Sequence, residues 1–297
     1  MFKTLRDALK IKDIRTKLLY TFFMLIVVRI GSQIPIPGVN TAYISSYFAN
    51  QLGDEFSFLD AFTGGSFSNM AIFALGINPY ITSSIIMQLL TIAIPKLEEL
   101  QKDGEEGRKK ITEITRYVTI ALALVEGTAM TIGFGSQGLL YTFNFGSVLV
   151  VVLTMTAGSA FLMWAGERIT DKGIGNGISM ILLFNIVARI PSDFVTLYET
   201  FMMNKSVPKA ALAALIILFV IVAVIAMVVL LQGGERRIPV QYSKKMQGRK
   251  MIGGQSSHIP LKVNTAGVIP VIFASSILSV PVVISSFFQV DSTTVWG

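Results

Sequence analysis

The sequence predicts an all-α polytopic membrane protein with seven transmembrane helices, the second of which is broken. Three observations support this fold class. Long apolar runs recur along the 297 residues, as they do in repeated bilayer spans. Hydrophobic residues make up 52% of the chain and charged residues only 14%, against roughly 25% charged in a soluble domain. The lysines and arginines are concentrated in alternate connections between the apolar runs.

The apolar runs define the predicted spans. The fifth is short for a hydrocarbon core that needs about 20 helical residues, so we expect it to lie among other helices rather than in lipid. The seven spans cover residues 18–36, 70–94, 114–134, 147–165, 177–190, 210–231 and 266–288.

The distribution of positive charge predicts the orientation of these spans. Six lysines or arginines lie within the basic amphipathic segment 1–17, and six more lie between the end of the second span and the start of the third, the last of them being Arg116. Two separate the fourth span from the fifth and seven follow the sixth, whereas the connections 37–69 and 135–146 contain none. Because positive charge stays on the cytoplasmic side, the N-terminus is predicted inside and the end of the chain, near Trp296, outside.

Residues 56–95 are the least regular part of the predicted bundle. Irregular, polar backbone occurs at membrane depth only where it is buried in protein or lines a water-filled cavity. The first half of this stretch carries such residues: Asp60, Thr63, Gly64, Gly65, Ser66, Ser68 and Asn69. The helix that follows contains the polar residues Thr82, Ser83, Ser84 and Gln88. These residues indicate a bundle built around a pathway through the membrane. By themselves they do not distinguish a channel from a transporter.

Two motifs look like parts of catalytic or cofactor sites but lack what such sites need. A serine nucleophile at Ser66 needs a nearby base, and the one histidine, His258, is predicted on the opposite side of the membrane. The segment KGIGNGIS at 172–179 lacks the strand that precedes a dinucleotide loop, so it predicts a tight turn in which Asn176 caps the fifth span. A single histidine and no cysteine exclude disulfides, thiolate metal sites and histidine-rich metal clusters.

Besides Arg116 at the start of the third span, three charged residues lie inside predicted spans. Glu126 is the one carboxylate deep within a clear span, and membrane acids are functional candidates by default. Ion-coupled carriers usually contain several such groups with partners, so a structural polar contact is the favoured interpretation of Glu126. Arg29 and Arg189 lie near the outer ends of their spans, where long side chains can snorkel toward water.

The largest charged feature is the loop 233–262, GGERRIPVQYSKKMQGRKMIGGQSSHIPLK. One interpretation is that its positive charge only sets the topology or attracts anionic lipid. The other is that its cations, mixed with glycines, Tyr242 and methionines, dock onto an acidic or RNA-bearing partner. Composition supports the two interpretations equally.

Four blocks of sequence resemble one family of membrane proteins. They are RIGSQIPIP at 29–37, ALGINPYITSSIIMQ at 74–88, WAGERITDKGIGNGIS at 164–179 and QSSHIPLKVNTAGVIPVIFASS at 255–276. On these blocks the chain resembles the SecY family, the central subunit of the bacterial protein-conducting channel. Members normally have ten spans, so the resemblance implies that spans eight to ten are missing here. It also implies that 18–190 is an N-terminal half and 191–297 the start of a C-terminal half.

The resemblance implies a pore-forming subunit that passes unfolded secretory chains across the membrane and releases membrane segments sideways into lipid. A half-helix, the plug at 60–71, would block the outer funnel ahead of a gate helix at 78–95. The plug residues are Asp60, Phe62, Thr63, Gly64, Gly65, Ser66, Phe67 and Asn69. An apolar pore ring, lacking its member from span ten, would consist of Ile81, Ile85, Ile178, Leu182 and Ile272.

The resemblance also implies a lateral gate and a set of partners. The gate would lie between spans two and seven, near Ser83, Gln88, Ser275 and Ser276. The loop 233–262 would dock a ribosome or the SecA motor through Arg236, Arg237, Lys244, Lys245, Arg249 and Lys250. SecE and SecG would be the membrane partners, signal sequences and nascent or secretory polypeptides the cargo, and membrane lipid the sideways exit. The location would be the bacterial plasma membrane, and no catalysis, cofactor or metal is implied.

Two other classes of function are compatible with the residues alone. A secondary transporter of a small solute is the alternative, and it predicts that Glu126 couples uptake to an ion. A docking protein or chaperone-like insertase without a pore is the third, and it predicts that no translocating chain contacts Ile85.

Overall fold

The computed structural model describes residues 10–41, 43, 60–203, 205–240, 245–247, 250–252, 257–265, 267 and 274. The chain forms two compact units, one comprising residues 1–191 and 273–297 and the other residues 192–272. The described residues of the first unit are predominantly helical, and those of the second combine helix with short strands.

Helices dominate the described part of the first unit. Their bounds are Lys12–Gly31 (α1), Asn78–Ala93 (α2), Pro95–Lys102 (α3), Glu105–Phe134 (α4), Phe145–Lys172 (α5) and Gly177–Phe201 (α6). A short π-helical turn, Gly135–Leu139, follows α4. The last of these helices, α6, continues past Pro191 into the residues of the second unit, which also contain Val207–Gly233 (α7).

The described helices support a multi-pass membrane protein. Four of them (α4, α5, α6 and α7) are long and apolar enough to cross a membrane, and the bent pair α2 and α3 passes the same test together. These helices overlap the predicted spans two to six. The predicted first span begins within α1, and the predicted seventh, 266–288, lies almost entirely outside the described residues.

The second predicted span is shorter than the sequence indicated. Its helix begins at Asn78 rather than at Met70, because Met70 and Gly76 have left-handed backbone angles (φ 43° and 61°) that interrupt a helix. Pro79 then occupies the first turn of α2, where its missing amide hydrogen costs nothing. Pro95 ends α2 because the residue before a proline favours extended backbone, and α3 leaves α2 at an angle of 102°.

Two clusters of buried apolar residues hold the first unit together. One surrounds Met70 and Leu75 and extends to Met155 of α5. The other connects Val28 of α1 to Ile181 of α6 through residues of α5. Residues 70–77, which directly precede α2, are therefore packed inside the bundle rather than looped away from it.

The described part of the second unit combines an apolar helix with paired strands. None of the residues of α7 is buried within the chain, although the helix is apolar on all sides, as is typical of a helix that faces lipid or other helices. Two antiparallel pairs follow: Glu235–Val240 (β1) with Ser257–Lys262 (β4), and Lys245–Gln247 (β2) with Lys250–Ile252 (β3). The all-α prediction is incomplete here, because apolar residues two apart, such as Ile238 and Val240, give β1 the period of a strand.

Candidate functional site

The plug segment, residues 60–71, is a compact and largely non-helical piece of chain that precedes α2. Residues 60–63 are helical and residues 64–70 form turns, so the predicted half-helix is confined to 60–63 among the described residues. Gly64 and Gly65 have φ angles of 68° and 86°, which glycine adopts without strain. At the end of the segment the amide of Ile36 donates to the carbonyl of Met70 at 2.9 Å, which ties the segment to the chain after α1.

Asp60 organises the interior of the plug segment. It is only 3% exposed, and its Oδ1 accepts hydrogen bonds from the amide of Ser68 at 2.9 Å and the hydroxyl of Thr63 at 3.3 Å. The hydroxyl of Ser66 donates to the carbonyl of Thr63 at 2.9 Å, so Ser66 stabilises the turn and is not arranged as a nucleophile. The polar groups that lipid would not tolerate are thus paired within the protein.

Two arginines from neighbouring helices hold the plug segment from outside. Arg189 of α6 forms an ion pair with Asp60 through Nη1 and Oδ2. Arg29 of α1 donates from Nη1 to the carbonyl of Gly64 at 2.7 Å. Arg29 and Arg189, whose position near span ends suggested only that they can snorkel, therefore have acceptors in the plug segment, which bind both guanidinium groups.

Asn185 of α6 completes these contacts and was missed by the sequence analysis. It is 4% exposed, and its Nδ2 donates to the carbonyl of Phe62 at 3.2 Å. Ile181, Asn185 and Arg189 are four residues apart, so they share one face of the helix. A polar residue at that spacing from Arg189, inside an apolar span, was the available signal.

The predicted pore-ring residues that the structure describes lie on α2 and α6. Ile81, Ile178 and Leu182 are half-buried and pack against one apolar cluster that contains the buried Ile181. Ile85 is half-buried one turn further along α2. The structure thus places Ile81, Ile178 and Leu182 at the same apolar cluster. The remaining predicted member, Ile272, lies outside the described residues.

The predicted lateral-gate residues on α2 have different surroundings. Ser83 is fully buried, and its hydroxyl lies 2.5 Å from that of Thr119 on α4. Gln88 is exposed and lines a cavity of about 360 Å³ between α2 and α4. Ser83 therefore joins α2 to α4, whereas the side chain of Gln88 is exposed. The two predicted members on span seven, Ser275 and Ser276, lie outside the described residues.

The predicted docking residues that the structure describes lie on the strands of the loop 233–262. Arg236 and Arg237 are exposed on β1, where successive side chains point to opposite faces. Lys245 lies on β2 and Lys250 on β3. The other two predicted residues, Lys244 and Arg249, lie outside the described residues.

Two further predictions concern residues away from the plug segment. The turn at 172–179 is confirmed, because Asn176 precedes α6 and its Oδ1 accepts from the amides of Ile178 and Ser179 at 3.0 and 3.4 Å. Glu126 lies half-buried on α4. Its expected polar contact is not among the hydrogen bonds and ion pairs of the described residues.

Comparison with known proteins identifies the family. The family model described as SecY matches residues 71–296. The chain belongs to the SecY family. It is 45% identical over 286 residues to the protein translocase subunit SecY of Pseudomonas aeruginosa, a match that covers 96% of this chain and 64% of that protein. Against the SecY subunit of Halalkalibacterium halodurans it is 44% identical over 296 residues, covering 98% of this chain and 68% of the relative.

Solved structures share the fold of this SecY-family chain at 21% to 22% identity, with 93% of the chain covered in each case. A protein-conducting channel aligns with a TM-score of 0.61, and Sec61 in the canine ribosome–channel complex from the endoplasmic reticulum with 0.59. A SecY structure whose plug domain stabilises the closed state and maintains a membrane seal aligns with 0.57. The chain spans 58% to 59% of the length of these proteins.

Membership of the SecY family contradicts one of the earlier expectations. The alternative of a secondary transporter for a small solute is wrong, because the relatives are protein translocase subunits. The chain spans 64% of the length of the Pseudomonas relative, so it corresponds to a part of that subunit.

Proposed function

We propose that the complete protein is the pore-forming subunit of a channel that passes unfolded secretory chains across the bacterial plasma membrane. Membrane segments of its cargo leave sideways into lipid. The observation that carries this proposal is the SecY-family match over residues 71–296, since the relatives are translocase subunits. The geometry supports it: the plug segment packs among apolar helices, where irregular backbone is stable only inside protein or beside a water-filled cavity.

The proposed topology has seven spans and a cytoplasmic N-terminus. The four or five apolar spans among the described helices support it, as do the connections 37–69 and 135–146, which lack Lys and Arg. In this topology the plug segment lies toward the outer side and the loop 233–262 in the cytoplasm. Residues 18–190 form the N-terminal half, and residues 191–297 begin the C-terminal half.

Closure is proposed to combine the plug segment with the pore ring. Branched apolar side chains at a constriction exclude water, so they limit ion leakage and still yield to an extended polypeptide. The half-buried positions of the described members on α2 and α6 support this role. The proposed ring consists of Ile81, Ile85, Ile178, Leu182 and Ile272.

The lateral gate is proposed to lie between spans two and seven, where an apolar signal sequence meets membrane lipid. The exposure of Gln88 on α2 supports its contact with a neighbouring helix or with cargo. Ser83 contributes by joining α2 to α4 through Thr119 rather than by touching cargo. Ser275 and Ser276 are the proposed gate residues on span seven.

The loop 233–262 is proposed to dock a ribosome or the SecA motor. Exposed Arg236 and Arg237 support this, and the ribosome-bound canine channel of the same fold supports the ribosome in particular. SecE and SecG are the proposed membrane partners. Translation or SecA would supply the energy, so the channel subunit itself needs no catalytic site, cofactor or metal.

Crosslinking of a stalled secretory chain tests the proposed pore. These 297 residues contain no cysteine, so Ile85→Cys introduces a single reactive site into this part of the complete protein. We expect a disulfide between Ile85→Cys and a cysteine in the stalled chain. We expect none with Val125→Cys, a position on α4 that is 66% exposed. Equal crosslinking at the two positions, or none at Ile85→Cys, would support a docking insertase without a pore.

A further inference from the structure

We propose that a clamp of three side chains keeps the plug segment closed, and that the channel opens only when this clamp releases. The clamp consists of Arg29, Asn185 and Arg189. This inference rests on the proposed function, because it assigns positioning residues to the plug of a channel.

The clamp binds three alternate residues at the start of the plug segment. The groups it binds are the carboxylate of Asp60, the carbonyl of Phe62 and the carbonyl of Gly64. The donors come from α1 and α6, so the segment is bridged between two helices that flank it. On the α1 side the Nη1 atom of Arg29 also lies 3.4 Å from the hydroxyl of the buried Ser32, which helps to orient the guanidinium group.

The contacts of the clamp are separate from those that shape the plug segment. Within the segment, Asp60 uses Oδ1 to accept from Ser68 and Thr63, whereas Oδ2 binds Arg189. The segment therefore keeps its internal hydrogen bonds when the clamp releases. It can move as a folded piece, which a reusable stopper requires.

The position of the clamp on α6 couples it to the pore ring. Asn185 and Arg189 follow the ring residues Ile178 and Leu182 along the same helix. A movement of α6 that widens the ring for a passing chain also withdraws two of the three clamp donors. The pore ring then widens and the plug segment is released in the same movement.

Burial makes the Asp60–Arg189 pair asymmetric. The side chain of Asp60 is 4% exposed and that of Arg189 is 26% exposed. Replacing Arg189 leaves the buried carboxylate of Asp60 charged and without its ion-pair partner. Replacing Asp60 by asparagine removes the buried negative charge itself. Arg189→Gln therefore weakens the closed state more than Asp60→Asn does, and the double variant resembles Asp60→Asn alone.

Ion leakage through the complete channel in proteoliposomes, without cargo, tests the clamp. A charge-assisted hydrogen bond contributes enough to change the population of the open state by about tenfold, so Arg189→Gln is expected to raise the leak about tenfold and Asp60→Asn less. The matched control is Glu167→Gln, which removes the ion pair of Arg116 with Glu167 (2.9 Å) between α4 and α5, away from the plug segment. A leak that rises equally in all three variants would mean general loosening and would overturn the clamp.

A disulfide across the clamp separates plug displacement from misfolding. A Cβ atom on Gly64 would lie 3.1 Å from Cβ of Asn185, below the range of about 3.5–4.5 Å in a disulfide, so the segment must shift by a few tenths of an ångström for the bond to form. The left-handed φ of Gly64 (68°) also strains a cysteine there, and the reduced protein is the control for that strain. With Gly64→Cys and Asn185→Cys added to Arg189→Gln, oxidation is expected to return the leak to the wild-type level and reduction to restore it. A leak that persists after the disulfide forms would contradict the clamp.

The proposed function and the clamp fail in different ways. If the wild-type channel translocates a secretory protein but Arg189→Gln leaks no more than wild type, the clamp is wrong and the function stands. If the wild-type channel translocates nothing, the function itself is wrong.

Discussion

Gly158 shows how closely the first unit is packed at the level of single residues. It lies on α5 against the backbone carbonyl of Ile72, and a Cβ atom there would overlap that oxygen and lie 3.1 Å from Cγ2 of the same residue. Small residues let backbones approach in this way in membrane bundles. Gly146, at the start of the same helix, has nothing within 4 Å of the corresponding position.

We therefore expect Gly158→Ala to destabilise the protein by about 1–3 kcal/mol, the usual cost of overpacking. Gly146→Ala is the matched control and should leave stability unchanged or slightly raised, because alanine favours helix more than glycine does. The measurement is the thermal unfolding midpoint of the purified protein in detergent. Equal midpoints for the two variants would contradict the packing of α5 against Ile72.

The clamp residues show what the sequence could and could not predict at this scale. Arg29 and Arg189 were recognised as charged residues near span ends, but their partners were not. Gly64 is 35 residues from Arg29, and Asp60 is 129 residues from Arg189. Local pattern gives the position of a side chain along its helix, whereas the acceptor it finds depends on how distant elements pack.

At the scale of elements, long apolar helices were the predictable part of the fold. Helices α4, α5 and α7 contain the predicted spans because each has a long stretch in which apolar residues predominate. The apolar pattern alone predicted neither the start of α2 nor the strands in the loop 233–262, although the family resemblance placed a gate helix at 78–95. Both depend on short features, a left-handed residue or two apolar residues in alternation, that are weak signals beside a long apolar run.

The geometry of β1 gives a prediction for the loop 233–262. Because Arg236 and Arg237 point to opposite faces of the strand, a partner that docks on one face contacts one of them more than the other. Single reversals to Glu should therefore weaken ribosome or SecA binding unequally, by up to about fivefold for an exposed charge. The measurement is the dissociation constant at low salt and at high salt, where screening should diminish the difference.

Lys205→Glu is the control for these reversals, since Lys205 is an exposed cation outside the loop. The Lys205→Glu variant should bind the ribosome or SecA with the same dissociation constant as the wild type. Equal binding of Arg236→Glu, Arg237→Glu and the wild type at low salt would leave only the interpretation in which the charge of the loop sets topology.

For the whole molecule, variants of the pore ring are expected to change two properties, the ion conductance of the channel and its selectivity for signal sequences. Glycine at Ile81, Ile85, Ile178 and Leu182 should raise ion conductance and relax the selectivity for signal sequences, because the dewetted constriction widens. Ile92→Gly is the control, since Ile92 is 79% exposed near the end of α2. Conductance is measured in planar bilayers of the complete channel. Unchanged conductance in the ring variants would contradict the ring assignment.

The family was more accessible from the sequence than the arrangement of the site was. Four blocks spread over the chain sufficed for the SecY resemblance, which the family match over residues 71–296 confirms. Which side chains meet around the plug segment required the packing of α1 and α6 against it. Ser83 illustrates this, because its place on α2 was known but its burial against Thr119 was not.

The bend of 102° between α2 and α3 restricts how α2 can move. If α2 crosses the bilayer, α3 lies nearly flat at the membrane surface, and it carries Lys96, Glu98, Glu99 and Lys102. Sliding α2 along its own axis toward the outside would pull these charges into hydrocarbon, which is costly. Outward sliding of α2 is thus opposed by α3, so an outward displacement of this helix requires tilting or sideways movement.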